Sequence, residues 1–161
     1  AFFLDPTHLV NLESKDFNKF DLSQDLREVD QISAFPKEAL FEKAISGGYL
    51  FRLFNVEAKK KGFDKISTSE ELNAVVEKGG EKGIIAEEIL TKSAQYVGAE
   101  IAAVTEFKKQ DSVFVMEGSL YWKGWNYKET VEKTVKQLTK FKVEFVEIPD
   151  STILGAAKLV A

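Results

Sequence analysis

The sequence lacks cysteine altogether and contains a single histidine among its 161 residues. Without cysteine there are no disulfides, no thiol nucleophile and no thiolate zinc site. One imidazole is too few for a metal centre built from several histidines. No apolar run approaches the roughly 20 residues that a membrane-spanning helix needs. We therefore expect a soluble chain without a metal site and without a membrane segment.

An excess of charge of one sign is also missing, because 22 basic residues stand against 26 acidic ones, for a net charge of -4. This balance gives no electrostatic reason to expect binding to nucleic acid. What the chain has in quantity is phenylalanine, with 13 residues, and we expect aromatic packing to dominate the core. The length fits one domain or a large piece of one.

Apolar periodicity predicts an α/β domain of about three strands packed with about five helices. A weakly alternating strand covers residues 8–13, and the polar stretch 14–35 is expected to be a covering loop with a turn of helix. The remaining predicted elements are, in order, a helix opened by Pro36 and ended at 59–62, a short helix from a cap at Ser67 through Glu77, a break at 79–83, a helix over 86–108, a strand at 113–117, a helix at 127–140, a strand at 142–148 and a helix at 153–160.

Two segments near the C-terminus carry the strongest chemical signal. The apolar run 113–116 ends in Glu117-Gly118-Ser119, and the strand at 142–148 runs into a short polar turn and a helix rich in small residues. A strand, a small-residue turn and a helix together present backbone N–H groups and a hydroxyl to a phosphate in α/β sheets. The two turns predict one half of a nucleotide site, and the chain contains no obvious other half.

Five segments resemble, in the same order, motifs of the hexokinase family. Residues 41–50 read F-E-K-A-I-S-G-G-Y-L, against F-E-K-M-I-S-G-M-Y-L in that family. Residues 25–30 resemble its acidic stretch ending V-D-E-x-S, and residues 93–104 resemble its long helix R-A-A-x-L-x-x-x-G-I-A-A-V. Residues 117–121 match D-G-[ST]-[LV]-Y, and residues 150–157 stand where the family has D-G-S-G-x-G-A-A. Because the motifs keep their order over nearly the whole chain, chance does not account for them.

The resemblance implies that residues 1–161 are the C-terminal part of a hexokinase large domain, in the actin-like, ribonuclease H-like ATPase fold. Full-length hexokinases transfer the γ-phosphoryl of MgATP to the 6-hydroxyl of a hexose, as glycolytic enzymes of the cytoplasm. Their catalytic aspartate and first phosphate loop, D-L-G-G-T, lie in upstream sequence, and nothing here matches either. The resemblance therefore implies a fragment that is inactive alone and has no catalytic residue, no metal ligand and no bound cofactor. Its implied partners are ATP, a hexose and the missing N-terminal part of the same polypeptide.

The start of the chain points the same way. The sequence begins with Ala1 and not with methionine, and its first apolar run is too short and lacks the basic lead of a signal peptide. We interpret the chain as the interior of a longer protein.

The resemblance assigns a sugar contact to Glu13. Residues 10–13 resemble the family's I-N-x-E, in which the glutamate accepts hydrogen bonds from sugar hydroxyls. A carboxylate suits this task because it can hold two hydroxyl donors in a fixed orientation. The aromatic residue and glycine that follow in the family are Ser14 and Lys15 here, although Phe17 restores an aromatic. The alternative is a solvated acid at a strand end.

The resemblance assigns nucleotide contacts to Gly118, Ser119, Thr152, Gly155 and Gly47. Gly118 permits close backbone approach and Ser119 supplies a hydroxyl donor to the α-phosphate, and an ordinary β-turn is the alternative. Thr152 takes the family's serine position, and Gly155 keeps a small residue before the last helix. Helix packing explains Gly47 as well as nucleotide contact does.

Three departures from the family bear on nucleotide binding. Ser151 and Ile153 replace glycines, and because isoleucine does not easily take positive φ, either the turn is rebuilt or nucleotide binding is altered. Phe51 replaces a glycine near the adenosine pocket, where it would fill the pocket or stack on a base. Beside the first turn, Trp122 and Trp125 are interpreted as anchors of the helix start.

Three functions remain for comparison. The first is an ATP-dependent hexose kinase, present here as a fragment. The second is a non-catalytic, hexokinase-derived module that binds sugar or acts as a scaffold, which the three departures motivate. The third is an unrelated actin-like ATPase or an acetate-kinase-type enzyme. The F-E-K-x-I-S-G match argues against the third, since a shared fold alone does not specify function.

Overall fold

The computed structural model describes the backbone of residues 2–5 and 8–10 and the whole of residues 14–149. Within these residues the chain forms four strands and seven helices. In chain order they are β1 (Phe2–Asp5), β2 (His8–Val10), α1 (Gln24–Gln31), α2 (Leu40–Ile45), α3 (Gly47–Lys60), α4 (Glu71–Lys78), α5 (Gly80–Lys108), β3 (Ser112–Val115), α6 (Ser119–Lys123), α7 (Tyr127–Leu138) and β4 (Val143–Val146). Strands β1 and β2 pair antiparallel, whereas β3 and β4 pair in parallel. The α/β class is confirmed, with more helices than the sequence predicted.

Two compact units make up the chain, Ala1–Ser93 and Ala94–Ala161, and the division falls within α5. None of the helices described in 14–149 combines the length and the apolar character required to cross a bilayer. The helix predicted at 153–160 lies outside the described residues.

Helix α1, with eight residues, is longer than the single turn of helix expected within the loop 14–35. The Ser23 hydroxyl caps α1 by accepting the N–H of Leu26 at 3.3 Å. Leu26 and Val29, one turn apart, are both buried. A single apolar pair is enough because α1 packs against α2 and α3.

The single helix predicted from Pro36 is two helices with a later start. Residues 32–39 form turns, in which Lys37 and Ala39 take positive φ of 68° and 50°. Helix α2 ends before Ser46, whose extended backbone turns the chain and whose hydroxyl accepts the N–H of Gly48 at 3.3 Å to cap α3. The predicted end of the helix is confirmed, since α3 ends at Lys60 and Gly62 follows with a φ of 73°.

The predicted break at 79–83 is confirmed only at its start. The short helix α4 ends near the predicted residue, but it begins only at Glu71 and no side chain caps it, so the predicted cap at Ser67 is wrong. Helix α5 already begins at Gly80 and runs through Gly83. A Cβ at Gly83 would lie 3.2 Å from the carbonyl oxygen of Val75 and 3.3 Å from that of Val76. A side chain at this position would require a small shift of the backbone, so Gly83 favours close packing on α4 and does not end a helix.

In the second unit, a parallel strand pair is joined through α6 and α7. Ser112 lies opposite Val143, and Val115 lies opposite Val146. The two strands and α7 confirm the prediction within a few residues, whereas the short helix α6 was not predicted. Gly98 of α5 allows α7 to approach, because a Cβ there would lie 2.7 Å from the Cβ of Thr134.

Candidate nucleotide-binding turn

The predicted phosphate turn follows β3 directly. The Met116 N–H donates to the Val146 carbonyl at 2.9 Å and so extends the parallel pairing by one residue. Gly118 then takes φ 94° and ψ 144°, and α6 begins at Ser119. A φ of this value is strained for every residue that has a Cβ, so the turn requires the glycine that the sequence supplies.

The turn is open to ligands. Glu117, Gly118 and Ser119 are all exposed. A Cβ built on Gly118 would meet no heavy atom within 4 Å. The first N–H groups of a helix have no partner within it, so the turn offers N–H donors beside the Ser119 hydroxyl. These are the groups that can bind a phosphate oxygen.

Trp122 fixes the position of α6 against the end of β3. Its indole Nε1 donates to the Met116 carbonyl at 3.1 Å. The Lys128 ammonium lies 5.0 Å from the centroid of the Trp122 ring. The interpretation of Trp122 as an anchor of the helix start is confirmed.

Tyr121 lies beneath the turn and is only 4% exposed. Its ring packs edge-on against Trp122, with the centroids 4.8 Å apart. Within residues 14–149 its hydroxyl is the one buried side-chain polar atom without a hydrogen-bond partner. Burial raises the pKa of Tyr121, and the nearby carboxylates of Glu132 and Glu129 raise it further. Tyr121 therefore stays neutral and contributes to packing.

Gly47 lies in the first unit and begins a helix, whereas the sequence pattern predicted it in the interior of one. It is the first residue of α3, and its carbonyl accepts a hydrogen bond from the Ser69 hydroxyl. The same hydroxyl oxygen accepts the N–H of Phe51 at 3.0 Å. A Cβ at Gly48 would meet only the Ser46 hydroxyl, at 3.6 Å. Tight packing in the described residues therefore does not require a glycine at position 48.

The Phe51 ring is partly exposed and has a cationic neighbour. The Arg52 guanidinium lies 5.5 Å from its centroid and 5.3 Å from that of Tyr49. These contacts hold the guanidinium against two aromatic rings on the surface of α3.

The other predicted site residues, Glu13, Thr152 and Gly155, lie outside the described residues, as do Ser151 and Ile153. Their roles stay predictions. Among the described residues, no group of three or more acidic or histidine side chains could hold a metal ion.

Lys43, in the family-like segment 41–50, has a role that sequence reasoning missed. Its side chain is 1% exposed, and its ammonium donates to Asp30 Oδ1 at 2.7 Å, to the Phe35 carbonyl at 2.7 Å and to the Glu38 carbonyl at 2.8 Å. The Asp30 carboxylate also accepts the N–H of Lys37 at 2.9 Å and 3.0 Å. This cluster holds the turns at 32–39. The sequence offered one signal of this buried role, because Lys43 stands on the apolar face of a predicted helix.

Comparison with known proteins gives a family and a fold. The family model for hexokinase matches residues 59–161. The solved structure of hexokinase from Schistosoma mansoni, complexed with glucose, is similar with a TM-score of 0.73 and 19% sequence identity. The match covers 84% of this chain and 40% of that one, so the chain spans less than half of its length. No curated protein sequence matches the chain significantly.

Proposed function

This chain belongs to the hexokinase family, and on that premise we propose that it is the C-terminal large-domain part of an ATP-dependent hexose kinase. The parent enzyme would transfer the γ-phosphoryl of MgATP to the 6-hydroxyl of glucose or a related hexose. The family match, the fold and the 40% coverage of a glucose-bound hexokinase support this proposal. A cytoplasmic location for the parent is part of the same proposal.

The uncovered face of the β3–β4 pair supports a continuation of the sheet in the parent. Val113 is 63% exposed and Val115 is 46% exposed, both on the same face of β3. Parallel sheets are normally covered on both faces, and two strands alone are rarely stable. Further strands and helices of the same polypeptide would bury these valines.

The open turn at Gly118 carries the assignment of nucleotide binding. We assign Gly118 and Ser119 to the α-phosphate, through the backbone and the hydroxyl respectively. Thr152 and Gly155 would form the second turn on the nucleotide side, and Gly47 would present the first turn of α3 to the nucleotide. The single observation behind this assignment is an exposed strand-to-helix turn whose glycine has a φ of 94°.

Glu13 is assigned to the hexose, because its carboxylate can accept hydrogen bonds from two hydroxyls. The catalytic base would come from the part of the parent that contains the D-L-G-G-T loop, since this sequence has no such segment. Magnesium, bound with ATP, bridges the phosphates and offsets their charge during phosphoryl transfer. The contribution of this chain is to position both substrates, which is most of what phosphoryl transfer requires.

A glucose-dependent assay of ADP production, on both the full-length parent and the 161-residue chain, tests this proposal. The full reading frame of the gene identifies the parent and should contain a D-L-G-G-T-like segment. We expect turnover by the parent and none by the chain alone, because two lobes must close over both substrates. Clear turnover by the isolated chain would refute the assignment of the base to another part of the protein.

A non-catalytic module that binds sugar or acts as a scaffold is the second candidate. The replacement of two family glycines by Ser151 and Ile153 favours it, because it changes the second turn of the nucleotide side. Calorimetry of the parent with glucose and with ATP separates the candidates. Heat of binding for glucose without any for ATP would favour the module.

A further inference from the structure

A groove of about 670 Å³ lies between α1 and α3 in the first unit. We call it the basic groove. The lining residues that we assign to a ligand below are Gln31, Ile32, Arg52, Val56, Lys59 and Lys65. None of these residues belongs to the predicted sugar or nucleotide contacts. The volume lies within the range of small-molecule sites.

The charge of the basic groove is opposite to that of the chain. Four cationic side chains line it, with one carboxylate, Glu28, although the whole protein has a net charge of -4. Local concentration of one sign of charge in a concave site raises the local concentration of ligands of opposite charge. The groove therefore favours anions on a protein that otherwise repels them.

One of the four cations, Lys60, is already paired with carboxylates of the chain. Its ammonium binds Asp25, lies 3.0 Å from Glu57 and 3.5 Å from Glu28. Hydrogen bonds to Asp25 and Glu57 raise the pKa of Lys60. Lys60 also offsets the charge of Glu28. These three carboxylates form their ion pairs with Lys60 and with none of the other three cations of the groove.

Arg52, Lys59 and Lys65 form no ion pair with any carboxylate in the described part of the chain. The Arg52 guanidinium lies over two aromatic rings, which orient it without using its N–H donors. A guanidinium fork and two ammonium groups are the side chains that proteins use for phosphate.

The geometry favours an extended ligand over a single ion. Arg52 and Lys59 are seven residues apart on α3, which is about 10 Å along a helix axis. Val56, between them, and Ile32, on α1, give the groove an apolar wall. The Gln31 side chain adds an uncharged hydrogen-bonding group. A phosphate with an attached sugar or nucleoside would use all of these features.

We propose that the basic groove binds a phosphate-bearing small molecule, either a sugar phosphate or a nucleotide. The phosphate contacts the Arg52 guanidinium, and Lys59 and Lys65 supply the positive charge of the rest of the groove. The ring system lies on Val56 and Ile32, and Gln31 contacts a polar group of the ligand. This site is independent of the proposed kinase function and would persist if that proposal failed.

Titration of the 161-residue chain, followed by backbone amide NMR at low salt, tests this proposal. The probes are ribose 5-phosphate, AMP, unphosphorylated ribose, inorganic phosphate and poly-glutamate. We expect ribose 5-phosphate or AMP to shift the signals of α1 and α3 and to bind more tightly than inorganic phosphate. Which of the two binds better identifies the ligand class. Ribose should not bind.

A pair of matched triple variants provides the control. The groove triple Arg52→Gln, Lys59→Gln, Lys65→Gln should weaken binding by about tenfold or more, since it removes a charge-assisted hydrogen bond to the phosphate and the positive charge around it. The control triple Lys19→Gln, Lys133→Gln, Lys136→Gln changes the net charge equally, at exposed positions elsewhere, and should have little effect. Lys65→Gln alone, which lies outside both helices, should weaken binding in the same direction with no loss of helix stability.

The inference is overturned if neither organic phosphate binds, or if ribose or inorganic phosphate binds as tightly. Binding of poly-glutamate alone overturns it as well, because that outcome identifies a surface for acidic proteins. Equal weakening by both triples overturns the assignment to the groove. Loss of AMP binding in Ser119→Ala but not in the groove triple would assign that binding to the turn, against this proposal.

Discussion

The two segments that most resemble hexokinases are built in opposite ways. In the segment 41–50, Phe41, Lys43 and Ala44 point into the first unit and are buried. In the segment 117–121, Gly118 and Ser119 are exposed and no atom fills the space beside the glycine. Packing alone accounts for the buried residues of the first segment, whereas the glycine and serine of the second segment stay open to solvent. A family-like motif is therefore evidence of a site only where its side chains or backbone face solvent.

The largest effect should come from breaking the buried pair of the first segment. Lys43→Met leaves Asp30 buried without its cation, and we expect a loss of about 3–5 kcal/mol in the free energy of unfolding. Urea denaturation followed by circular dichroism measures it. The control Lys78→Met, at an exposed position on α4, should change stability by less than about 0.5 kcal/mol.

A double variant separates charge from packing at the same pair. Asp30→Asn in the Lys43→Met background removes the orphaned charge and keeps an acceptor for the Lys37 N–H, so part of the loss should be recovered. If Lys43→Met alone is as stable as the unmodified chain, the contacts of Lys43 do not hold the segment 41–50, and the contrast between the two segments fails.

A pair of glycine substitutions compares a closely packed position in the second unit with an open position in the first. Gly98→Ala puts a Cβ 2.7 Å from the Cβ of Thr134 and 3.0 Å from the Val131 carbonyl oxygen, which should cost about 1–3 kcal/mol. Gly48→Ala in α3 meets only one oxygen at 3.6 Å and should stabilise by about 0.5–1 kcal/mol. Thermal unfolding of both variants gives the comparison, and equal effects would contradict it.

The smallest expected effect concerns Tyr121, beneath the turn. Tyr121→Phe removes a buried hydroxyl without a partner, so stability at pH 7 should be unchanged or higher by about 1 kcal/mol. The folded state raises the pKa of Tyr121 above the unfolded value near 10. Its neutral form thus contributes stability that is complete below pH 10 and is lost as the pH rises above it.

The pH dependence gives this prediction its own control. Urea denaturation between pH 9 and about pH 11 should show a steeper loss of stability in the unmodified chain than in Tyr121→Phe. Equal slopes would mean that the Tyr121 hydroxyl is solvated or has a partner that keeps its pKa near the ordinary value.

Local signals were sufficient to predict most of the helices and the parallel strands. The end of α3 was predicted because lysines and Gly62 stand together, and α4 because acidic residues follow serine and threonine, although no side chain caps the helix. The late start of α2 was missed because the turns at 32–39 are held by Lys43 and Asp30, which are 13 residues apart, and no local pattern reports such a contact. Gly83 was misread as a helix breaker because its contact is with the carbonyls of α4.

The candidate site was predictable at Gly118 and Ser119 because a strand, a turn and a helix follow one another directly in sequence. The basic groove could not be predicted in this way. Arg52 and Lys59 share a face of α3, but only the packing of α1 on α3 makes a groove of that face. Lys60, in the same run of lysines, has its charge offset by acids from α1 and α3.

The affinity of the full-length parent for MgATP, measured by calorimetry for the unmodified enzyme, Ser119→Ala and the control Ser67→Ala, tests the central claim most directly. We predict that Ser119→Ala weakens MgATP binding by about tenfold, the value of one hydrogen bond to a charged phosphate, while glucose affinity and the Ser67→Ala variant stay unchanged. Unaltered MgATP affinity in Ser119→Ala, or an equal loss for glucose, would contradict the assignment of the open turn to the nucleotide.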